Sequence, residues 1–147
     1  MKNNIDNYPL TIEEFQTIYS KVPRLTVEVV LISKEGMLLT LRDIEPHKGV
    51  WHLPGGAVYF GEKLKEAVSR VAKKEIGITV TKAELINYIE YPSHLEESFD
   101  YPVGIAFLVE YEGKIKTNEE ASAVGWFTHP PENMHPEQGV FMQALLS

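Results

Sequence analysis

Apolar positions change period several times along the chain, and each change marks an element. Thr11 and Glu14 form a capping-box pair that opens a short helix. Ile12, Phe15, Ile18 and Tyr19 follow at helical spacing, and Pro23 ends the run. Residues 24–33 (RLTVEVVLIS) alternate and are β-branched, so they read as a strand. Glu35-Gly36 is a hairpin turn into a second strand over 37–43. A polar loop over 44–50 follows, then a Pro-Gly-Gly turn between Trp51 and Gly56. The longest helical pattern covers 62–76 and stops at Gly77, a suitable left-handed C-terminal residue. Strands are predicted over 83–91 and 101–111, the second nearly all apolar and therefore central. Glu112-Gly113 turns into a short strand, another strand covers 121–127, and the tail over 131–147 has a helical pattern. There is no internal repeat. This order predicts an α/β sandwich, one mixed sheet packed between helices. Residues 1–23 would be a helical extension and 131–147 a C-terminal helical segment of one domain.

Composition narrows the function. The length of 147 residues fits a single domain, and 44% hydrophobic with 24% charged residues is the balance of a folded one. With no cysteine there is no disulfide framework, thiol nucleophile or cysteine zinc site. The net charge of −7 argues against nucleic acid and against an anionic membrane as partners. It leaves an anionic small ligand open, because a bound cation inverts the local field. No run approaches the roughly 20 apolar residues of a membrane span. The N-terminal residues lack a signal-like apolar core, so a cytoplasmic location is expected.

One charge is misplaced on the long helix. With Glu62 at zero, Ala67, Val71, Leu64, Val68 and Ala72 form an apolar arc from about 140° to 280°. Glu75 falls inside it, at about 220°. A carboxylate there needs a partner or a metal, because an isolated buried charge is too costly. Periodicity leaves both open: a buried pair with Arg or Lys, or a metal ligand. Lys74 flanks the same edge. Its ammonium is a compact charge that suits a phosphate oxygen, with a solvated lysine as the other reading. The preceding Gly55-Gly56 allows close approach of backbone carbonyls. A carbonyl, a helix carboxylate and a third acid would suit Mg²⁺, which takes oxygen ligands together with substrate phosphates. The third acid is Glu120, or its neighbour Glu119.

These residues resemble a known motif. Gly56-x5-Glu62-x7-Arg70 followed by Glu75-Ile76-Gly77-Ile78 looks like the Nudix box, G-x5-E-x7-R-E-U-x-E-E-x-G-U with U aliphatic. Trp51-His52-Leu53-Pro54-Gly55 and Trp126-Phe127 also look like that family, and the resemblance covers about residues 24–130. Two box acids are replaced, by Val71 and Lys74, so Glu75 alone remains on the metal face. The chain is most similar to the GDP-mannose mannosyl hydrolase branch, which keeps a single helix carboxylate. The resemblance implies that the Gly55 carbonyl, Glu75 and Glu120 hold Mg²⁺, with Mn²⁺ as a substitute. It implies that Arg42 stabilises the leaving diphosphate, that Arg70 braces the site and that Glu28 faces the substrate. It also leaves room for a homodimer. The branch carries its basic histidine where this chain has Ala121.

His47, His52, His94, His129 and His135 show no metal spacing and read as loop or surface residues. His94, in the polar loop 92–100, is the spare base and a candidate substrate contact. Tyr88, Tyr91, Phe99 and Tyr101 read as core and rim packing, with Tyr101 also carried as a substrate contact able to stack a base. Asp100, Glu96 and Glu97 read as solvated loop acids. The expected function is Mg²⁺-dependent hydrolysis of a nucleoside diphosphate linked to another group, with a nucleotide sugar favoured. Cleavage at the diphosphate bridge is preferred over cleavage at the sugar carbon, because Ala121 cannot accept a proton. The rival reading from another class is a nucleotide-sugar-binding module with little catalysis.

Overall fold

The structure, a computed structural model, describes residues 8–45, 47–117 and 121–147, and for Ser122 the backbone alone. Glu119 and Glu120 lie outside the described residues. Helix α1 (Ile12–Tyr19) starts at the expected box: Thr11 Oγ1 accepts from Glu14 N at 3.1 Å, and Glu14 Oε1 accepts from Thr11 N at 3.0 Å. Strand β1 (Arg24–Val30) then runs parallel to β7 (Pro102–Glu112). β6 (Thr79–Glu90) is antiparallel to β7 on its far side, and β5 (Gly55–Ala57) is antiparallel to β1. These four strands form a mixed sheet in the order β5-β1-β7-β6.

The expected mixed sheet between helices is present, but the strands divide over two sheets. β2 (Ile32–Ser33), β3 (Gly36–Arg42), β4 (Trp51–His52) and β8 (Ala121–Phe127) form a second, antiparallel sheet in which β3 pairs with β2, β4 and β8. The run 24–33 is therefore two strands. It breaks at Leu31, which is buried and accepts a hydrogen bond from Leu38 N as the chain passes from one sheet to the other. Gly36 sits at φ +116°, and a Cβ there would run into the Phe127 carbonyl oxygen, so the turn requires glycine.

Helix α2 (Leu64–Ile76) ends at Gly77, whose φ is +73° and whose N–H bonds to Lys73 O. It begins after Glu62, because Glu62 Oε1 accepts from Tyr59 N at 2.9 Å and so belongs to the preceding turn. β6 starts at Thr79, directly after the helix. No strand forms over residues 113–117. Helix α3 (His94–Glu97) is one turn, and α4 covers Pro136–Leu146 rather than the whole tail. Residues 131–135 are held instead by the second sheet: Trp51 N donates to Asn133 O and His135 N to Trp51 O.

Two buried clusters hold these layers. Val27, Val29 and Phe107 pack with Ala67, Val68, Val71, Ala72 and Ile76 of α2. On the other side Val30, Met37, Leu39, Leu53, Ile89 and Ala106 pack with Met142 of α4. Alternation along β1 thus places Val27 and Val29 on α2 and turns Thr26, Glu28 and Val30 away from it. No helix among the described residues is long and apolar enough to cross a membrane.

Candidate functional site

A cavity of about 520 Å³ opens where β1, β5, the C-terminal half of α2, the 92–100 loop and the start of α4 converge. Glu28 forms its floor. Only 5% of this residue is exposed. Its Oε2 accepts from Tyr91 OH at 3.3 Å and from Gln138 Nε2 at 2.9 Å, while Thr26 Oγ1 lies 3.4 Å from Oε1. Leu53 N donates to Gln138 Oε1 at 2.7 Å. A backbone N–H can only donate, so this bond fixes the Gln138 amide with its NH₂ towards Glu28. Gln138 Nε2 also donates to Tyr91 OH at 3.0 Å. Oε2 therefore takes two donors, and Oε1 has the Thr26 hydroxyl and the Gly55 backbone beside it. Burial pushes the Glu28 carboxyl up to about 8, with the carboxylate of Glu75 adding to the effect.

Glu75 lines the same cavity and is half-buried. Gly55 lies beside Glu28 in the β1–β5 ladder, and a Cβ there would come within 2.7 Å of Glu28 Oε1 and 2.9 Å of Val27 O. Only glycine brings backbone this close to the acid. Gly56 approaches Val71 in the same way: its Cβ would meet Val71 Cγ2 at 3.2 Å. Val71, standing where the box has an acid, is 2% exposed and packs in the core. This part of the helix is an apolar plug and offers no second carboxylate. Among the described residues no group of three or more His, Asp or Glu side chains is arranged to hold a metal. The donors that do gather are oxygens: Glu75, Glu28 and backbone at Gly55. They fit a hard divalent cation that keeps few protein ligands. Lys74 lines the cavity from the adjacent position on α2.

Arg70 is committed to the loop that carries Gly55 and Gly56. Its Nε donates to Glu62 Oε2 at 2.8 Å, and Nη2 to Glu62 Oε1 at 3.0 Å and Ala57 O at 2.6 Å. The guanidinium lies 3.6 Å over the Tyr59 ring. These contacts tie β5 and the 58–63 turn to α2 and so set Gly55 relative to Glu75. The Arg70 hydrogen bonds hold the Glu62 carboxyl below its ordinary range. Arg70→Lys keeps the charge but loses the planar fork. It should lower the unfolding free energy by about 1–2 kcal/mol, read as an earlier denaturant midpoint with an unchanged slope.

The opposite wall is built from residues far apart in sequence. Arg24 Nε donates to Asp100 Oδ2 at 2.8 Å, and Ser98 Oγ donates to Oδ1 at 2.8 Å. His94 Nδ1 lies 3.2 Å from the same Oδ1, and its Nε2 lies 3.1 Å from His135 Nε2. Asp100, read as a solvated loop acid, is in fact buried and paired, at 7% exposure. His52, His94 and His135 are likewise cavity-lining rather than surface residues. His52 Nδ1 donates to Leu53 O at 2.8 Å, and burial depresses its basicity. His47 and Arg42 complete this side, with Phe15 of α1 and Phe99 edge-on at the mouth. Tyr101 is not among the lining residues. It stands just before β7, where its backbone oxygen accepts from Arg24 N at 2.9 Å. Tyr88 is exposed on the outer strand β6, whereas Tyr91 lines the cavity, as do Tyr8 and Tyr59.

Burial alone would raise the Asp100 carboxyl, but hydrogen bonds from His94, Ser98 and Arg24 and the Arg24 charge hold it far below its ordinary 3.8. A depressed acid stabilises the fold above its unfolded value and loses that contribution as pH falls below it. The stability gap between the native chain and Asp100→Asn should therefore be full at neutral pH and shrink below pH 3.8. Denaturant unfolding at both pH values reads it directly.

Gln138, Tyr91, Asp100 and His135 were not anticipated as site residues. Glu28, Arg42, Arg70, Lys74, Glu75, His94 and Gly55 all line the one cavity. The family model described as NUDIX domain matches residues 22–145. The low-salt glycan biosynthesis protein Agl8 of Haloferax volcanii is 31% identical over 138 residues, 90% of this chain and 88% of that protein. The ADP-ribose pyrophosphatase of Methanocaldococcus jannaschii is 28% identical over 106 residues, 71% of this chain and 62% of that protein. A solved structure, the MutT NUDIX hydrolase from Burkholderia pseudomallei, superposes with a TM-score of 0.74 at 24% identity, over 84% of this chain and 98% of that one. At that identity the superposition speaks for the fold alone.

Proposed function

The chain belongs to the Nudix hydrolase family, and on that premise we propose that it hydrolyses a nucleoside diphosphate linked to a sugar, with Mg²⁺ as cofactor. The observation that carries this reading is one cavity lined by both chemistries. Glu28, Glu75 and Gly55 line it with oxygens, and Arg24, Arg42 and Lys74 line it with cations. A diphosphate needs both, cations for its charge and oxygen donors for a divalent ion. Gly55, Glu75 and Glu120 would hold the ion, which when bound neutralises diphosphate charge and lowers the pKa of a bound water. Arg42 and Lys74 bind phosphate oxygens in this reading, and Oε1 of Glu28 meets a hydroxyl of the ligand. The two relatives support the substrate class, one being named for glycan biosynthesis and the other for ADP-ribose.

Cleavage falls at the diphosphate bridge. Attack at the sugar carbon asks for a free base beside it, and Ala121 provides none. His94, the spare base, has both ring nitrogens facing hydrogen-bond partners, Asp100 and His135. Attack at phosphorus asks less of a separate base. The test is a panel of nucleotide sugars, GDP-mannose included, hydrolysed with Mg²⁺ in ¹⁸O-water. Nucleoside monophosphate plus sugar phosphate, with label in a phosphate, is expected. Label in the free sugar with release of nucleoside diphosphate would move the reading to the mannosyl hydrolase type. Tight binding without product would make the chain a binding module.

A further inference from the structure

Helix α1 lies outside residues 22–145, the span that the family model matches, and it adds nothing to the core. None of its residues is buried, and neither buried cluster includes one of them. Eight residues are too few to hold a helix in water by themselves, so α1 depends on its capping box and on what its apolar side meets. That side meets the cavity. Ile12, Phe15 and Gln16 line it, and none of the three carries a charge. Phe15 packs edge-on against Phe99, with ring centroids 5.8 Å apart and planes 75° apart, which makes an aromatic corner. Exposure shows which ring has area to give. Tyr91 is buried, the Arg70 guanidinium lies over Tyr59, and Tyr8 and Phe15 are half-buried. Phe99 is 48% exposed. Its loop is pinned at both ends: Ser93 N and Oγ donate to Glu137 at 2.9 and 2.7 Å, and Asp100 accepts from Arg24 and Ser98. The ring is thus held in place at the cavity, and covering it removes apolar area from water.

We propose that the nucleobase of the ligand stacks in the corner between Phe99 and Phe15, so that α1 is a base-recognition element added to the Nudix domain. This rests on the diphosphate-linked nucleotide argued above. Every charged residue that lines the cavity comes from outside α1, Arg24, Glu28, Arg42, Lys74 and Glu75 among them. The part of the ligand that α1 meets is therefore its uncharged, flat part. Every nucleobase has an aromatic face, and stacking on side-chain rings accepts all of them. Arg24 joins the corner to the charged wall: its Cζ lies 5.4 Å from the Phe15 ring centroid, and its Nε donates to Asp100.

Titration calorimetry of the full chain in Mg²⁺, with ADP and with inorganic pyrophosphate, tests this. Both probes carry a diphosphate, and only ADP carries a base. Phe99→Leu and Phe15→Leu should each weaken ADP by roughly tenfold and leave pyrophosphate within about twofold of its native affinity. GDP and UDP should show the same loss as ADP, and Phe99→Tyr, which keeps the ring, should keep ADP affinity. ADP binding unchanged in both leucine variants would overturn the proposal. So would pyrophosphate weakened as much as ADP, the result of a wall that has merely collapsed. Should Phe99→Leu not fold, Phe15→Leu decides, since it leaves both buried clusters untouched. A native chain that binds pyrophosphate but neither ADP, GDP nor UDP would overturn the base site and leave the diphosphate reading intact. Absence of turnover on every nucleotide sugar would strike the proposed reaction, while the ADP titrations would still decide the base site.

Discussion

Replacing Glu75 by Gln is expected to remove Mg²⁺-dependent turnover by roughly a thousandfold, about 4 kcal/mol of transition-state stabilisation, while the protein stays folded. Glu75 is the one box acid kept on the cavity face of α2, since Val71 is in the core and Lys74 is a cation. An amide of the same shape keeps the packing of Val68, Val71, Ala72 and Ile76 that anchors the helix. It also removes a like charge from the neighbourhood of Glu28. The unfolding midpoint should therefore shift little. Turnover is measured against Mg²⁺ concentration beside a denaturation curve. Near-native turnover in a folded variant would place the metal site elsewhere.

The parts of this site that were legible in the sequence are those in which local chemistry and long-range packing agree. Glu75 stands out because it breaks the apolar arc of a helix whose ends are marked by the turn at Glu62 and by Gly77. The strand of Glu28 is legible from its alternation. The capping box at Thr11 and the turn at Gly36 are written in four residues or fewer. The division into two sheets is not legible, because the run 24–33 is uniformly β-branched and nothing at Leu31 announces that its hydrogen bonds change partner. Asp100 sits among polar loop residues, and its burial follows from Arg24, 76 positions away. His135 and Gln138 are brought to the cavity by the bonds of residues 133–135 to Trp51, which pull the tail against β4. Helical periodicity gave the tail as one segment and could not show that its first residues leave the helix to make those bonds. Glu120, the third ligand that the resemblance implies, lies outside the described residues, so the geometry of that part of the proposal rests on Gly55 and Glu75.

Gln138→Leu should cost about 3 kcal/mol of stability, the largest effect expected from a residue that touches none of the charged cavity cations. Gln138 is 6% exposed and serves three partners at once: it accepts from Leu53 N, and it donates to Glu28 Oε2 and Tyr91 OH. Leucine fills similar volume, so little packing is lost. What is lost is hydrogen bonding in a dry place. Leu53 N–H becomes a buried donor without an acceptor, and Glu28 Oε2 keeps only the Tyr91 hydroxyl at 3.3 Å. Each orphaned buried group costs about 1–3 kcal/mol, and the acidic one stands at the upper end. Gln138→Glu separates the two halves of the effect. A glutamate still accepts from Leu53 N, but its other oxygen meets Glu28, so it should retain the first bond and lose the second. Denaturant unfolding of both variants should rank them native, Gln138→Glu, Gln138→Leu in falling stability. A loss below about 1 kcal/mol for leucine would mean that water replaces the amide, and that the orientation of Glu28 is set by Thr26 and Tyr91 alone.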